Sequence, residues 1–230
     1  MTFMDRIALF EPADFTALAL LFGLWAAIGW RVEHPSATHL STSQIMADYR
    51  QEWMRQMVHR NPRIFDAQML GHLRQGTAFF ASTSVIAIGG TLAVLGNAER
   101  LAGVAGEITL MNDPTIVWEL KLMVLALFLT NAFLKFVWAN RLFGYCAVLM
   151  GAVPNDPDHS EAFARAEQAA QINITGARSF NRGLRSMYFA LASTAWLAGP
   201  FTLIIAAGIT VTVIWRREFA SASRKILLSS

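Results

Sequence analysis

Arginines and one carboxylate give this chain its most evident capacity for chemistry. Arg60-Asn61-Pro62-Arg63 stands shortly before Asp66, and Arg178, Arg182 and Arg185 recur farther along at helical spacing. Residues three and four apart share a helix face, and clustered guanidinium groups recognise carboxylates or phosphates through paired N–H donors. The expected site is a polar cap in which Arg60, Arg63 and Asp66 meet Arg178, Arg182 and Arg185, bridged by hydrogen bonds or by an anion such as a lipid phosphate. Asp48 and Glu52 are further carboxylates that the arginines could pair with. The competing reading is that these cations only mark the cytoplasmic ends of membrane spans.

Other chemistry is thinly supported. His34, His39, His59, His72 and His159 all fall in loops or at a helix start, whereas a membrane cytochrome needs paired histidines within the bilayer. Glu33, His34 and His39 lack the compact spacing of a metal-binding helix. The single cysteine, Cys146, allows neither an intrachain disulfide nor a cysteine cluster. No GxSxG, phosphate loop or metal-spaced acid and histidine set is present. The expectation is a protein without cofactor, metal or catalytic residues. Nineteen basic and 16 acidic residues are too evenly balanced for a nucleic-acid partner.

Polar residues inside the apolar runs form a second set. Asn131 and Lys135 share a face four residues apart; intramembrane ionisable groups are functional candidates, although Lys135 can snorkel to the headgroups. Ser82, Thr83 and Ser84, with Gly89 and Ala93 beyond them, suit close helix contact. Gly199-Pro200 predicts a kink, because proline removes a backbone donor.

The elements that must position these groups follow from composition. Of 230 residues, 54% are hydrophobic and 15% charged, below the roughly 25% charged of soluble domains. Thr77 to Gly96 is 20 residues without a charge and Tyr188 to Trp215 is 28, enough to cross a bilayer. The reading is an all-α polytopic membrane protein, residues 1–230 forming one domain, with a bundle of four transmembrane helices at about 14–31, 76–97, 116–140 and 188–215. Trp118 and Trp138, 20 residues apart, fit two aromatic belts.

Polar helical loops at 32–75 and 151–187 supply extra cytoplasmic amphipathic helices. Ser41 to Gln44 fits a capping box, and Ile45, Tyr49, Trp53 and Met57 form a stripe of period four. Asn61-Pro62 predicts a break. A short helix is expected from His159 to Ile174, and Asn112-Asp113-Pro114 reads as a turn. The loops 31–75 and 141–187 carry eleven Lys and Arg against six for the other side, tail included. The positive-inside tendency then places both termini outside the cytoplasm, with the tail cations Arg216, Arg217, Arg224 and Lys225 in conflict.

The strings Arg60-Asn61-Pro62-Arg63 with Asp66, Phe79-Phe80-Ala81-Ser82-Thr83-Ser84, Asn181-Arg182-Gly183-Leu184-Arg185 and Tyr188-Phe189 resemble those of a bacterial and plant membrane family, domain of unknown function 599. The resemblance covers roughly residues 15–215 and implies four spans and, for a bacterial chain, the inner membrane. It implies no reaction. The partners expected are the bilayer, anionic lipids, and either further copies of the chain or another membrane protein. The leading functional expectation is a non-enzymatic scaffold or accessory protein; the alternative is an oligomeric channel or transporter for small solutes or ions.

Overall fold

The computed structural model describes residues 9–36, 38–100, 103 and 114–229. Its elements are α1 (Pro12–Glu33), α2 (Thr42–Met57), α3 (Ile64–Leu95), α4 (Thr115–Ala152), α5 (Ala162–Thr194), a 3-10 turn (Ala195–Ala198), α6 (Pro200–Phe219) and α7 (Ala222–Leu228). No strand occurs among the described residues beyond an isolated bridge between Ser36 and His39. The Asn112-Asp113 part of the expected turn lies outside the described residues.

Local chemistry explains where these helices start. Pro12 opens α1, where its missing N–H and fixed φ suit a first helical position, and the Asp14 carboxylate accepts from the Glu11 amide at 3.2 Å. Ser41 caps α2, its hydroxyl accepting from the Gln44 amide at 3.2 Å, as the capping-box spacing predicts. Ile45, Met54 and Met57 are buried, while Tyr49 and Met46 are exposed. The period-four stripe therefore overstates the buried face, whose members follow the shorter 3.6-residue helical repeat.

Three helices, α1, α3 and α4, are long and apolar enough to cross a membrane. Only 11% of the most apolar window of α3 is buried within the chain, and Phe79, Ile86 and Leu92 on it are exposed. Such a surface is stable against lipid rather than water. α3 runs unbroken from Ile64 to Leu95, so the polar segment before the expected second span is helical and continuous with it. Trp118 is fully buried within the chain, whereas Trp138 is exposed.

The expected span at 188–215 is not one helix. α5 joins the expected short helix to the helical stretch carrying Arg178, Arg182 and Arg185 and ends at Thr194. The 3-10 turn and Gly199, at φ 110°, then break the helix before Pro200 starts α6. Pro200 cannot donate, and a positive φ requires glycine. The Trp196 carbonyl accepts instead from the Gly199 amide at 2.9 Å, and the Thr202 hydroxyl donates to the carbonyls of Ala195 and Gly199 at 2.7 and 2.6 Å. Gly199-Pro200 therefore interrupts the helix rather than bending it.

The chain divides into two compact units. Unit 1 comprises residues 1–31, 84–132 and 184–216. Its interior contains Leu21, Phe128, Phe189 and Leu203, with Phe128 stacked on Phe22 at 5.2 Å. Unit 2 comprises residues 32–83, 133–183 and 217–230. Its core packs Met54, Met57, Phe143 and Met150 against Ala162, Ala166, Ala169 and Ala170. The alanines place small side chains along one face of α5, which lets Phe143 and its neighbours pack closely against the helix.

Candidate functional site

Within unit 2 the structure brings together Arg60 and Asp66, but around a different partner from the one expected. Asp66, in the first turn of α3, is fully buried. Its Oδ1 accepts from Arg60 Nη1 and from Trp53 Nε1, the latter at 2.7 Å, while Oδ2 is buried without a hydrogen-bond partner among the described residues. Trp53 was assigned to an apolar stripe, so sequence periodicity concealed its indole N–H as a donor. Arg60 also lies over the Phe65 ring, 5.7 Å from its centre.

Arg63 is used differently. Its Nη atoms donate to the carbonyls of Val153 and Pro154, both at 2.7 Å, tying the loop after α4 to the start of α3. Arg182 does not join this group: its Nε donates to Glu33 Oε1 at 2.9 Å and its Nη2 to Glu33 Oε2. That fork is bidentate, the geometry guanidinium favours, and Glu33 was considered in the sequence only as a metal ligand. Arg178 is exposed. Arg185 belongs to unit 1, where it is buried and approaches Gly29.

The polar residues of the apolar runs are mostly engaged within single helices or with a neighbouring helix. Asn131 donates to the Ser186 hydroxyl at 2.6 Å and Ser84 lies 3.8 Å from the Met187 sulfur, both inside unit 1. Thr83 bonds back to the Phe79 carbonyl at 2.9 Å, Ser82 is exposed, and the Lys135 carbonyl accepts from Ser179 at 2.9 Å. Unit 1 also holds a polar cluster that sequence reasoning missed. Asp14 accepts from Trp196 Nε1 at 2.6 Å, and the buried Lys121 ammonium lies 5.0 and 6.0 Å from the rings of Trp118 and Trp196.

Two clefts in unit 2 border these groups. The first, about 350 Å³, has an apolar floor of Met57, Leu70, Ala147 and Met150, with Arg63, Arg74 and Asn155 around it. Arg63 Nε is buried without a hydrogen-bond partner among the described residues, and Arg74 is exposed. The second, about 390 Å³, is bordered by Ser43, Arg50, His72, Phe143, Phe180, Asn181 and Glu218 among others. Burial pushes the Arg50 pKa below its ordinary value. No group of three or more histidine, cysteine or acidic side chains that could hold a metal occurs among the described residues.

A family model described as a protein of unknown function, DUF599, matches residues 16–223. No curated protein and no solved structure matches the chain.

Proposed function

This chain belongs to the DUF599 family, and from that premise we propose a non-enzymatic membrane protein that holds an anionic lipid headgroup at its polar face and acts as a scaffold or accessory subunit, alone or self-associated. The observation that carries this reading is the first cleft. Arg63 and Arg74 stand beside an apolar floor, an arrangement that suits a phosphate joined to an acyl chain, since a charged head and an apolar tail are satisfied within one site.

The test is native mass spectrometry of the protein released from nanodiscs containing phosphatidylglycerol. Arg74→Gln is expected to reduce retained anionic lipid about tenfold, the effect of losing one charge-assisted contact, while Arg100→Gln leaves it unchanged. Equal retention by both variants would overturn the lipid assignment. The same spectra report subunit count and any second polypeptide, and a bare monomer would count against both self-association and an accessory role.

We also propose a topology that differs from the sequence expectation for the C-terminus. Glu218, at the end of α6, accepts from the Ser43 amide and hydroxyl at 3.0 and 2.8 Å, and Arg224 donates to the Leu40 carbonyl at 2.9 Å. These bonds keep the tail with the loop after α1. At the other end of α6, the turn carrying Trp196 bonds Asp14 at the start of α1. A 20-residue helix spans about 30 Å, the thickness of the hydrocarbon layer, and its exposed Phe201, Ile205, Ile209 and Val213 form a lipid-facing stripe.

With α5 and α6 both crossing, five crossings place the tail beside the two large loops. That side then carries twelve Lys and Arg, the tail's four included and Arg178, Arg182 and Arg185 within α5 left out, against Arg6 and Arg100 opposite. The tail no longer conflicts with the positive-inside tendency. In sealed vesicles, Ser229→Cys and Asp156→Cys are expected to react alike with a membrane-impermeant maleimide, and Glu99→Cys oppositely. Co-labelling of positions 229 and 99 would exclude this topology.

A further inference from the structure

The second cleft of unit 2 is separate from the proposed lipid site. Positions 72, 73 and 76 of α3 border it, whereas positions 67, 70, 71 and 74 border the first. Arg50, on α2, reaches it with a guanidinium that bonds one protein acceptor, the Asn173 amide oxygen, at 2.5 Å. Asn173 is fully buried, and its amide nitrogen lies 3.6 Å from the Cys146 sulfur, so the group orienting Arg50 is itself fixed by packing. A guanidinium has five N–H donors, and no carboxylate pairs with Arg50 among the described residues. A partly desolvated cation without a counter-ion is costly, and an anion entering the cleft would relieve that cost.

The remaining walls define the shape of such a ligand. Phe143 and Phe180 supply apolar ring surface. Glu218 also borders the cleft, but both its oxygens are occupied by Ser43, whose hydroxyl in turn accepts from Asn181 at 3.2 Å. The carboxylate is therefore committed to the start of α2, away from service as the counter-ion of Arg50. His72 is exposed at the border and adds a second potential donor. A Cβ built on Gly76 meets nothing within 4 Å, consistent with open space at that border position.

We propose that this cleft binds a small amphiphilic anion, a carboxylate or phosphate on a flat apolar body, with Arg50 as the counter-ion and Phe143 and Phe180 against the apolar part. The probe is 1-naphthoate, followed by its fluorescence with the full chain in zwitterionic nanodiscs, and the neutral control is 1-naphthamide. The wild type is expected to bind the anion at least tenfold more tightly than the amide, a comparison that needs no variant. Arg50→Gln is expected to remove that preference, Arg50→Lys to retain part of it, and Gly76→Phe to abolish binding of both compounds.

Arg74→Gln is expected to leave naphthoate binding unchanged, which separates this site from the lipid cleft: either proposal can fail while the other stands. Competition by phosphatidylglycerol added to the discs would identify the natural anion as a headgroup, and competition by soluble aryl phosphate alone would identify a soluble ligand; each supports the site. Equal affinity for acid and amide, an unchanged preference in Arg50→Gln, or no binding of either compound would overturn the proposal.

Discussion

Asp66→Ala is expected to destabilise the protein by about 3 kcal/mol, read as a lowered midpoint of unfolding in mixed detergent. The carboxylate is fully buried and serves both Arg60 and the Trp53 indole, and removing one partner of a buried pair costs about 3 to 5 kcal/mol because the other is left unsatisfied. The Arg60 side chain is 39% exposed and can rehydrate, which places the loss at the lower end. The Trp53 N–H cannot move as freely, and a buried donor without an acceptor costs about 1 to 3 kcal/mol. Asp66→Asn keeps an acceptor for the indole and is expected to lose roughly half as much. In a double-mutant cycle with Arg60→Ala, the two losses should fall short of additivity by about 1 kcal/mol. A loss below about 0.5 kcal/mol for Asp66→Ala, the size of an ordinary surface substitution, would show that this cluster contributes little to holding α2 against α3.

Gly183→Val should be as damaging, by about 3 kcal/mol, for a steric reason. A Cβ at position 183 would lie 2.6 Å from Phe136 Cε1 and 2.8 Å from its Cδ1. Phe136 is fully buried and packed against Phe80 at 5.4 Å and Phe180 at 5.4 Å, with Phe80 and Phe180 themselves 5.5 Å apart. Three rings in mutual contact leave the struck ring no direction of retreat, so overpacking costs at the upper end of its usual 1 to 3 kcal/mol range. Gly183→Ala sets the same clash against the roughly 1 kcal/mol helix preference of alanine over glycine, and its net loss is expected to be smaller. Thermal unfolding of the two variants, compared with Gly208→Ala, where nothing lies within 4 Å, separates the clash from helix propensity. An unchanged transition in Gly183→Val would mean that the ring stack yields easily.

Membership of the family and the helical class were legible in the chain because both depend on local pattern. Uncharged runs of bilayer length need no tertiary information to be recognised, and the Ser41 cap depends on residues three apart. The same locality explains the break at Gly199-Pro200, which the missing proline donor makes visible, although its depth was not. A kink and an interruption begin with the same residues, and only the partners available to the freed carbonyls, here Gly199 and Thr202, distinguish them.

The polar residues illustrate the opposite case. Arg182 was recognised correctly as a cation on a helix face, and Arg60 and Arg63 as cations flanking a break, but two of their partners lie at separations that no periodicity encodes: Val153 for Arg63 and Glu33 for Arg182. Arg50 and Asn173 carry no such signal, since they stand 123 residues apart on different helices. Their apposition depends on α2 packing beside the alanine face of α5. By itself, the amino-acid sequence determined that the chain is helical, that its long uncharged runs suit a membrane, and where several of its helices begin. Tertiary structure alone decided which charges are neutralised and which are left facing a cleft, because pairing of charges is a property of distance in space, and distances between residues far apart in the chain are set by packing.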